Sequence, residues 1–285
     1  MPMAREGDLS RPDGRIVHWY EDGPADGVPL FWHHGTPNIG QPPGPLMSPA
    51  ADRGFRWVSL DRPGYGGSTR REGRCVADVA EDVAAVADEL GIARFAVAGH
   101  SGGGPHALAC GAMLPDRVLA TVAVASLAPY GAAGLDWYGA MGAGGRAELE
   151  AAAIGPAALR AQLEAEWDPE MFTDEDHGVL AGAWSWFGGI VKAAMAHGPD
   201  AMVDDDLAYV TDWGFDPADA AANPVLIAHG GRDRVVPMTH GQWLAAAIPG
   251  AGWRAYEGDG HVSVLLHADD LLDWLAGAVE HRKVG

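Results

Sequence analysis

The chain has 285 residues, 48% of them hydrophobic and 20% charged, enough to close one large α/β domain or a core domain that carries an insertion. Its formal net charge of −20 speaks against binding DNA, RNA or an anionic membrane surface. No apolar run reaches the roughly 18 residues of a membrane span, and the start, Met1 to Asp8, lacks the apolar core of a secretion signal.

The first strand is expected at 15–21, where the pattern alternates and stops at Asp22-Gly23-Pro24. A second, more buried strand is expected at 29–33 and a third at 55–60, ending in Asp61-Arg62-Pro63-Gly64. Residues 76–90 place apolar side chains three and four apart, the spacing of a helix, and Gly91 follows as a stop. A strand at 93–98, a helix at 104–114 closed by Pro115, and a strand at 118–125 come next. Cys75 and Cys110 are the only cysteines and are expected as reduced thiols, in keeping with a cytoplasmic protein. Toward the end the pattern predicts a strand at 224–228, a helix at 239–248, a strand at 253–257 and a long final helix within 261–281. Strands and helices alternating at this spacing imply an α/β fold with a mostly parallel sheet covered on both faces.

Residues 131–222 differ. They are alanine-rich, predict short helices and no strand, and carry 17 acidic against 3 basic side chains. They hold Trp137, Trp167, Trp184, Trp186 and Trp213. We expect a helical cap here, over a core formed by 1–130 and 223–285.

Residues 99–103 read Gly99-His100-Ser101-Gly102-Gly103 between the expected strand and helix. A strand, a sharp turn and a helix with serine at the bend lift the hydroxyl clear of the sheet and leave backbone N–H groups beside it. A serine hydroxyl is a poor nucleophile without a base, and the base needs an acid to hold its tautomer. In the order Ser, Asp, His that such a sheet uses, Asp233 and His261 fit, both in loops after expected strands. Asp259 reads as a turn residue beside Gly260, and the strand at 118–125 ends in Ser126 with no carboxylate. Two donors are needed for a developing oxyanion. The Gly102 amide is one, and the Thr36 amide, in His33-His34-Gly35-Thr36-Pro37, is the other. Pro37 is a candidate for a cis bond, and His33 and His34 are expected to orient this loop. Gly102 is expected to leave extra room beside Ser101. Trp32, Trp184 and Trp186 are candidate substrate contacts. No metal-ligand spacing, nucleotide-binding loop or dinucleotide fingerprint is present, so no metal or cofactor is expected.

These segments resemble the α/β-hydrolase fold superfamily. The resemblance covers nearly the whole chain and rests on His34-Gly35-Thr36-Pro37, Asp61-Arg62-Pro63-Gly64-Tyr65-Gly66-Gly67-Ser68, the Ser101 pentapeptide, Asp233 in Gly-Arg-Asp-Arg-Val-Val-Pro, and His261. It implies an eight-stranded sheet with a helical cap inserted after the sixth strand. Within it the chain resembles capped esterases, proline-iminopeptidase-like enzymes and the H-G-x-P proteins related to epoxide hydrolases and haloalkane dehalogenases. Serine at 101 departs from the aspartate of dehalogenases and epoxide hydrolases. The elbow Gly-His-Ser-Gly-Gly and the loop Asp-Arg-Pro-Gly depart from the iminopeptidase pattern. The expected activity is hydrolysis of a small or medium neutral ester through an acyl-enzyme. Two alternatives stand beside it: an aminopeptidase or amidase whose substrate amine meets Glu164, Glu166 or Asp204–Asp206, and a small-molecule receptor with little turnover. The expected partner is a small-molecule substrate, and the oligomeric state stays open.

Overall fold

The computed structural model describes residues 4–165 and 168–284. Eight strands form one sheet: β1 (Arg5–Ser10), β2 (Ile16–Asp22), β3 (Val28–His33), β4 (Phe55–Leu60), β5 (Phe95–His100), β6 (Val118–Val124), β7 (Val225–Gly230) and β8 (Gly252–Tyr256). Their spatial order is β1-β2-β4-β3-β5-β6-β7-β8. β2 pairs antiparallel with β1 and β4, and all other pairs are parallel.

The central strands are apolar on both faces because helices cover both. Successive residues point to opposite sides, so Phe31 and Val97 pack toward α2 (Val79–Glu89) and α3 (Gly103–Met113). Leu30, Ala96 and Leu226 pack toward α1 (Met47–Asp52) and α10 (Ala268–Val284). Ile227 meets Leu244 and Ile248 at α9 (Met238–Ala247). The helix expected at 76–90 starts as a 3-10 turn, Val76–Asp78, where the Asp78 carboxylate accepts the Cys75 amide at 2.9 Å. β1 was absent from the sequence expectations. It is polar and mostly exposed, and backbone pairing from Arg5↔Glu21 to Ser10↔Ile16 holds it.

Between β6 and β7 lies a helical insert: α4 (Ala143–Ile154), α5 (Pro156–Gln162), α6 (Asp174–Ala181), α7 (Trp186–Ala194) and α8 (Asp200–Tyr209). Its apolar side chains are continuous with the core on both faces of the sheet. Leu149, Leu159, Val203 and Trp213 join the α2 and α3 side, and Val179, Trp184 and Phe187 join the α10 side. Glu166 and Trp167 lie outside the described residues.

Part of the insert's acidic load faces inward. Arg70 pairs with Asp200 at 2.6 Å and Asp204 at 2.7 Å. Asp205 is completely buried and receives Arg62 at 2.6 Å, Arg74 at 2.7 Å and the Tyr65 hydroxyl at 2.9 Å. Burial pushes this carboxyl up, but the two guanidinium groups outweigh it and hold it well below the usual carboxylate range. Asp206 and Glu148 instead hydrogen-bond to each other, and burial raises both, Glu148 to about 7.

Asp205→Ala leaves two guanidinium groups without their partner and lowers stability by about 3–5 kcal/mol in equilibrium urea unfolding. The Glu148 carboxyl binds its proton more tightly folded than unfolded, so its contribution to stability is complete below the unfolded value of 4.5 and is lost as pH rises toward 7. Glu148→Gln therefore raises the thermal midpoint relative to the parent at pH 8, and the difference disappears near pH 4.5.

Candidate active site

β5 ends at His100 and α3 begins at Gly103, so the chain reverses within two residues. Ser101 sits at the bend with φ of 57°, in the left-handed region that side chains rarely adopt. The strands and helix meet so closely that a Cβ at Gly99 would collide with the Gly103 carbonyl, and one at Gly103 with the His33 carbonyl. Gly99 and Gly103 are therefore required by contact. Ser101 is pinned by its own amide, which donates to the Val124 carbonyl at 2.9 Å.

The loops after β7 and β8 bring two partners to the serine. His261 Nε2 lies 2.8 Å from Ser101 Oγ, and His261 Nδ1 lies 2.7 Å from Asp233 Oδ2. The other Asp233 oxygen accepts the amides of Val235 and Val236, each at 2.9 Å. Burial pulls the His261 imidazole down, but the charge and hydrogen bond of Asp233 outweigh it and raise it above the ordinary histidine value of 6.5. Burial pushes Asp233 up, yet His261 and His229 together hold it well below the usual carboxylate range. Asp259 bonds His267 at 2.9 Å instead.

The loop after β3 lies against the elbow. His34 Nδ1 bonds the Gly35 carbonyl at 2.8 Å, and its Nε2 accepts the Arg62 amide at 3.1 Å, so His34 does orient the loop. The Thr36–Pro37 bond is cis. Arg62 donates to the His34 carbonyl, to the Gly35 carbonyl at 3.0 Å and to Thr36 Oγ1 at 3.0 Å. Thr36 Oγ1 in turn donates to Asp205 at 2.7 Å. The space expected beside Gly102 is not free. A Cβ there would lie 2.5 Å from the Tyr209 hydroxyl and 2.6 Å from Thr36 Oγ1. Tyr209 comes from the end of α8 and donates to the Gly102 carbonyl at 2.9 Å. Thr36 and Gly102 are thus neighbours at the elbow.

Other residues around the site were not singled out in the sequence. Burial pulls the His100 imidazole down to about 3, so it is neutral and its Nε2–H donates to the His261 carbonyl at 2.8 Å. Phe172 and Phe187, both from the insert, place rings 6.4 Å from that of His261 and 6.1 Å from that of His100. Of the three tryptophans expected as substrate contacts, Trp184 and Trp186 both pack against Phe187. Trp32 is buried under the sheet, edge-on to Trp57. Trp184 is buried and stacked on Phe187, and half-buried Trp186 packs beside Gly44. Among the described residues no three His, Cys, Asp or Glu side chains converge to hold a metal ion, and no helix is long and apolar enough to cross a membrane.

Residues 28–268 match the family described as alpha/beta hydrolase fold. The chain belongs to that family. A non-heme chloroperoxidase of Streptomyces lividans is 30% identical over 275 residues, covering 93% of this chain and 96% of its own. A bifunctional esterase/perhydrolase of Acinetobacter calcoaceticus is 33% identical over 124 residues, covering 43% of this chain and 45% of its own. Among solved structures, a bromoperoxidase from Bacillus anthracis superposes with a TM-score of 0.75 at 22% identity, covering 97% of this chain and 100% of that one. That likeness carries the fold alone.

The charge placed beside the imidazole has a measurable consequence. In an NMR titration His261 is expected to take up its proton at a pH above 6.5, and Asp233→Asn is expected to move that titration to lower pH.

Proposed function

We propose that this α/β hydrolase is a serine hydrolase that cleaves carboxylic esters of small or medium neutral acyl groups. The observation that carries this reading is the unbroken chain of hydrogen bonds from Ser101 Oγ through His261 to Asp233, at 2.8 and 2.7 Å. Ser101 Oγ attacks the ester carbonyl carbon while His261 Nε2 takes the hydroxyl proton. The carbonyl π pair moves onto oxygen, and the Gly102 and Thr36 amides stabilise the resulting oxyanion. The tetrahedral species collapses, the C–O bond to the alcohol breaks, and His261 delivers the proton to the departing oxygen. Water then attacks the acyl-serine with its proton going to His261, and the acid leaves as Ser101 regains the proton. Asp233 holds Nδ1 protonated and balances the imidazolium charge. The aromatic rings of Phe172 and Phe187 near His261 and His100 suit an uncharged acyl group, and the relative named an esterase supports an ester over other acyl substrates.

The aminopeptidase alternative needs free carboxylates in the insert to meet a substrate amine. Asp204 and Asp205 are already paired with Arg70, Arg62 and Arg74, and Asp206 is bonded to Glu148. Glu164 is exposed, and Glu166 lies outside the described residues.

The test is hydrolysis of p-nitrophenyl acetate and butyrate together with labelling by a fluorophosphonate probe. Ser101→Ala is expected to lower kcat/KM by about 1,000-fold or more and to abolish labelling. Unchanged turnover in that variant would remove the mechanism, and a parent protein that neither labels nor turns over would favour the receptor alternative.

A further inference from the structure

We propose that Asp176, a carboxylate supplied by the insert, is a positioning residue for His261. It fixes the loop that carries the imidazole and brings a second negative charge to the backbone of that residue. This rests on the serine-hydrolase reading of the site. Asp176 stands in the first turn of α6 and is 1% exposed. Its Oδ2 accepts the Thr173 amide at 3.1 Å and the Thr173 hydroxyl at 2.9 Å, which serves the start of its own helix. Three further donors come from the core: the His261 amide to Oδ2 at 3.1 Å, and the Val262 and Ser263 amides to Oδ1 at 2.8 and 2.7 Å. A helix cap has no need of these three. They fasten the backbone of the catalytic loop to the insert, across 85 to 87 positions of sequence. The approach depends on Gly260, where a Cβ would collide with the Asp176 carboxylate.

The charge argument agrees with the geometry. Burial pushes Asp176 up, but the amides of Ser263, Thr173 and Val262 outweigh it, so the carboxylate stays ionised. The groups facing His261 are Asp233 at Nδ1, Ser101 at Nε2, Asp176 at its backbone and the neutral ring of His100, with His229 behind Asp233 at 3.4 Å. Asp176 is the second anion in that set, and it favours the imidazolium.

Asp176→Asn keeps the shape but removes the charge, and it turns one acceptor into a donor that faces amide N–H groups. With kcat counted per serine titrated by the fluorophosphonate, we expect a fall of about 10- to 100-fold. KM should stay within about threefold, and the acid limb of kcat/KM should move to lower pH, because an imidazole with one anion fewer loses its proton more readily. Gly260→Ala displaces the carboxylate and keeps its charge. It should lower kcat per titrated site with a smaller movement of the acid limb, and it decides the matter if Asp176→Asn does not fold. Should the folded variants keep the parent's kcat per site and acid limb while only the melting temperature falls, Asp176 is a stabilising clamp and the proposal is overturned. An NMR titration of His261 separates the two readings. If the parent neither labels nor hydrolyses esters, the hydrolase assignment fails on its own. A His261 titration at lower pH in Asp176→Asn would still support the electrostatic role, and an unchanged one would refute it.

Discussion

One fully buried carboxylate, Asp205, ties three separate stretches of chain together. It comes from α8 and receives Arg62 and Tyr65 from the segment after β4, Arg74 from the approach to α2, and Thr36 from the loop after β3. Taking such ions out of water costs several kcal/mol each, and the cost is offset only when every donor is in place. The loop beside Ser101 and the insert above it are therefore set by one shared arrangement. Arg62 carries this to the backbone, since the same guanidinium holds the carbonyls of His34 and Gly35.

The insert consequently contributes residues around Ser101 and His261. Tyr209 fills the space that Gly102 leaves, Phe172 and Phe187 supply nearby rings, and Asp176 grips the His261 loop. Swinging α8 away as a rigid body would strand Arg62 and Arg74 without their anion. The elbow adds a second constraint, because backbone contacts at Gly99 and Gly103 leave no slack around Ser101.

The central strands could be read from the sequence because both of their faces are buried, so apolar runs mark them directly. Ser101, Asp233 and His261 could be read as a set because each falls in a loop after a strand, in an order that this sheet imposes. β1 was missed for the opposite reason: its polar residues face solvent, and pairing with β2 keeps it extended. Asp204–Asp206 were read as possible contacts for a substrate amine, yet each carboxylate turns to a different partner within the protein, and those partners lie far away in sequence. The spacing of Thr173 and Asp176 marks a helix start, but nothing local to it announces a second duty toward His261. Trp32 illustrates the converse. Its place just before the His34-Gly35-Thr36 loop in sequence suggested a ligand contact, while the strand's alternation turns it into the packing beneath the sheet.

The two outer strands of the sheet have a bearing on how copies of the molecule behave together. Each leaves one row of amides and carbonyls without a neighbouring strand, which is a template for edge-to-edge growth. β1 carries Arg5, Glu6 and Asp8, and β8 carries exposed Arg254 near Asp270. Docking a strand from another copy on either side would bury these charges, so the sheet resists extension into fibrils at both margins.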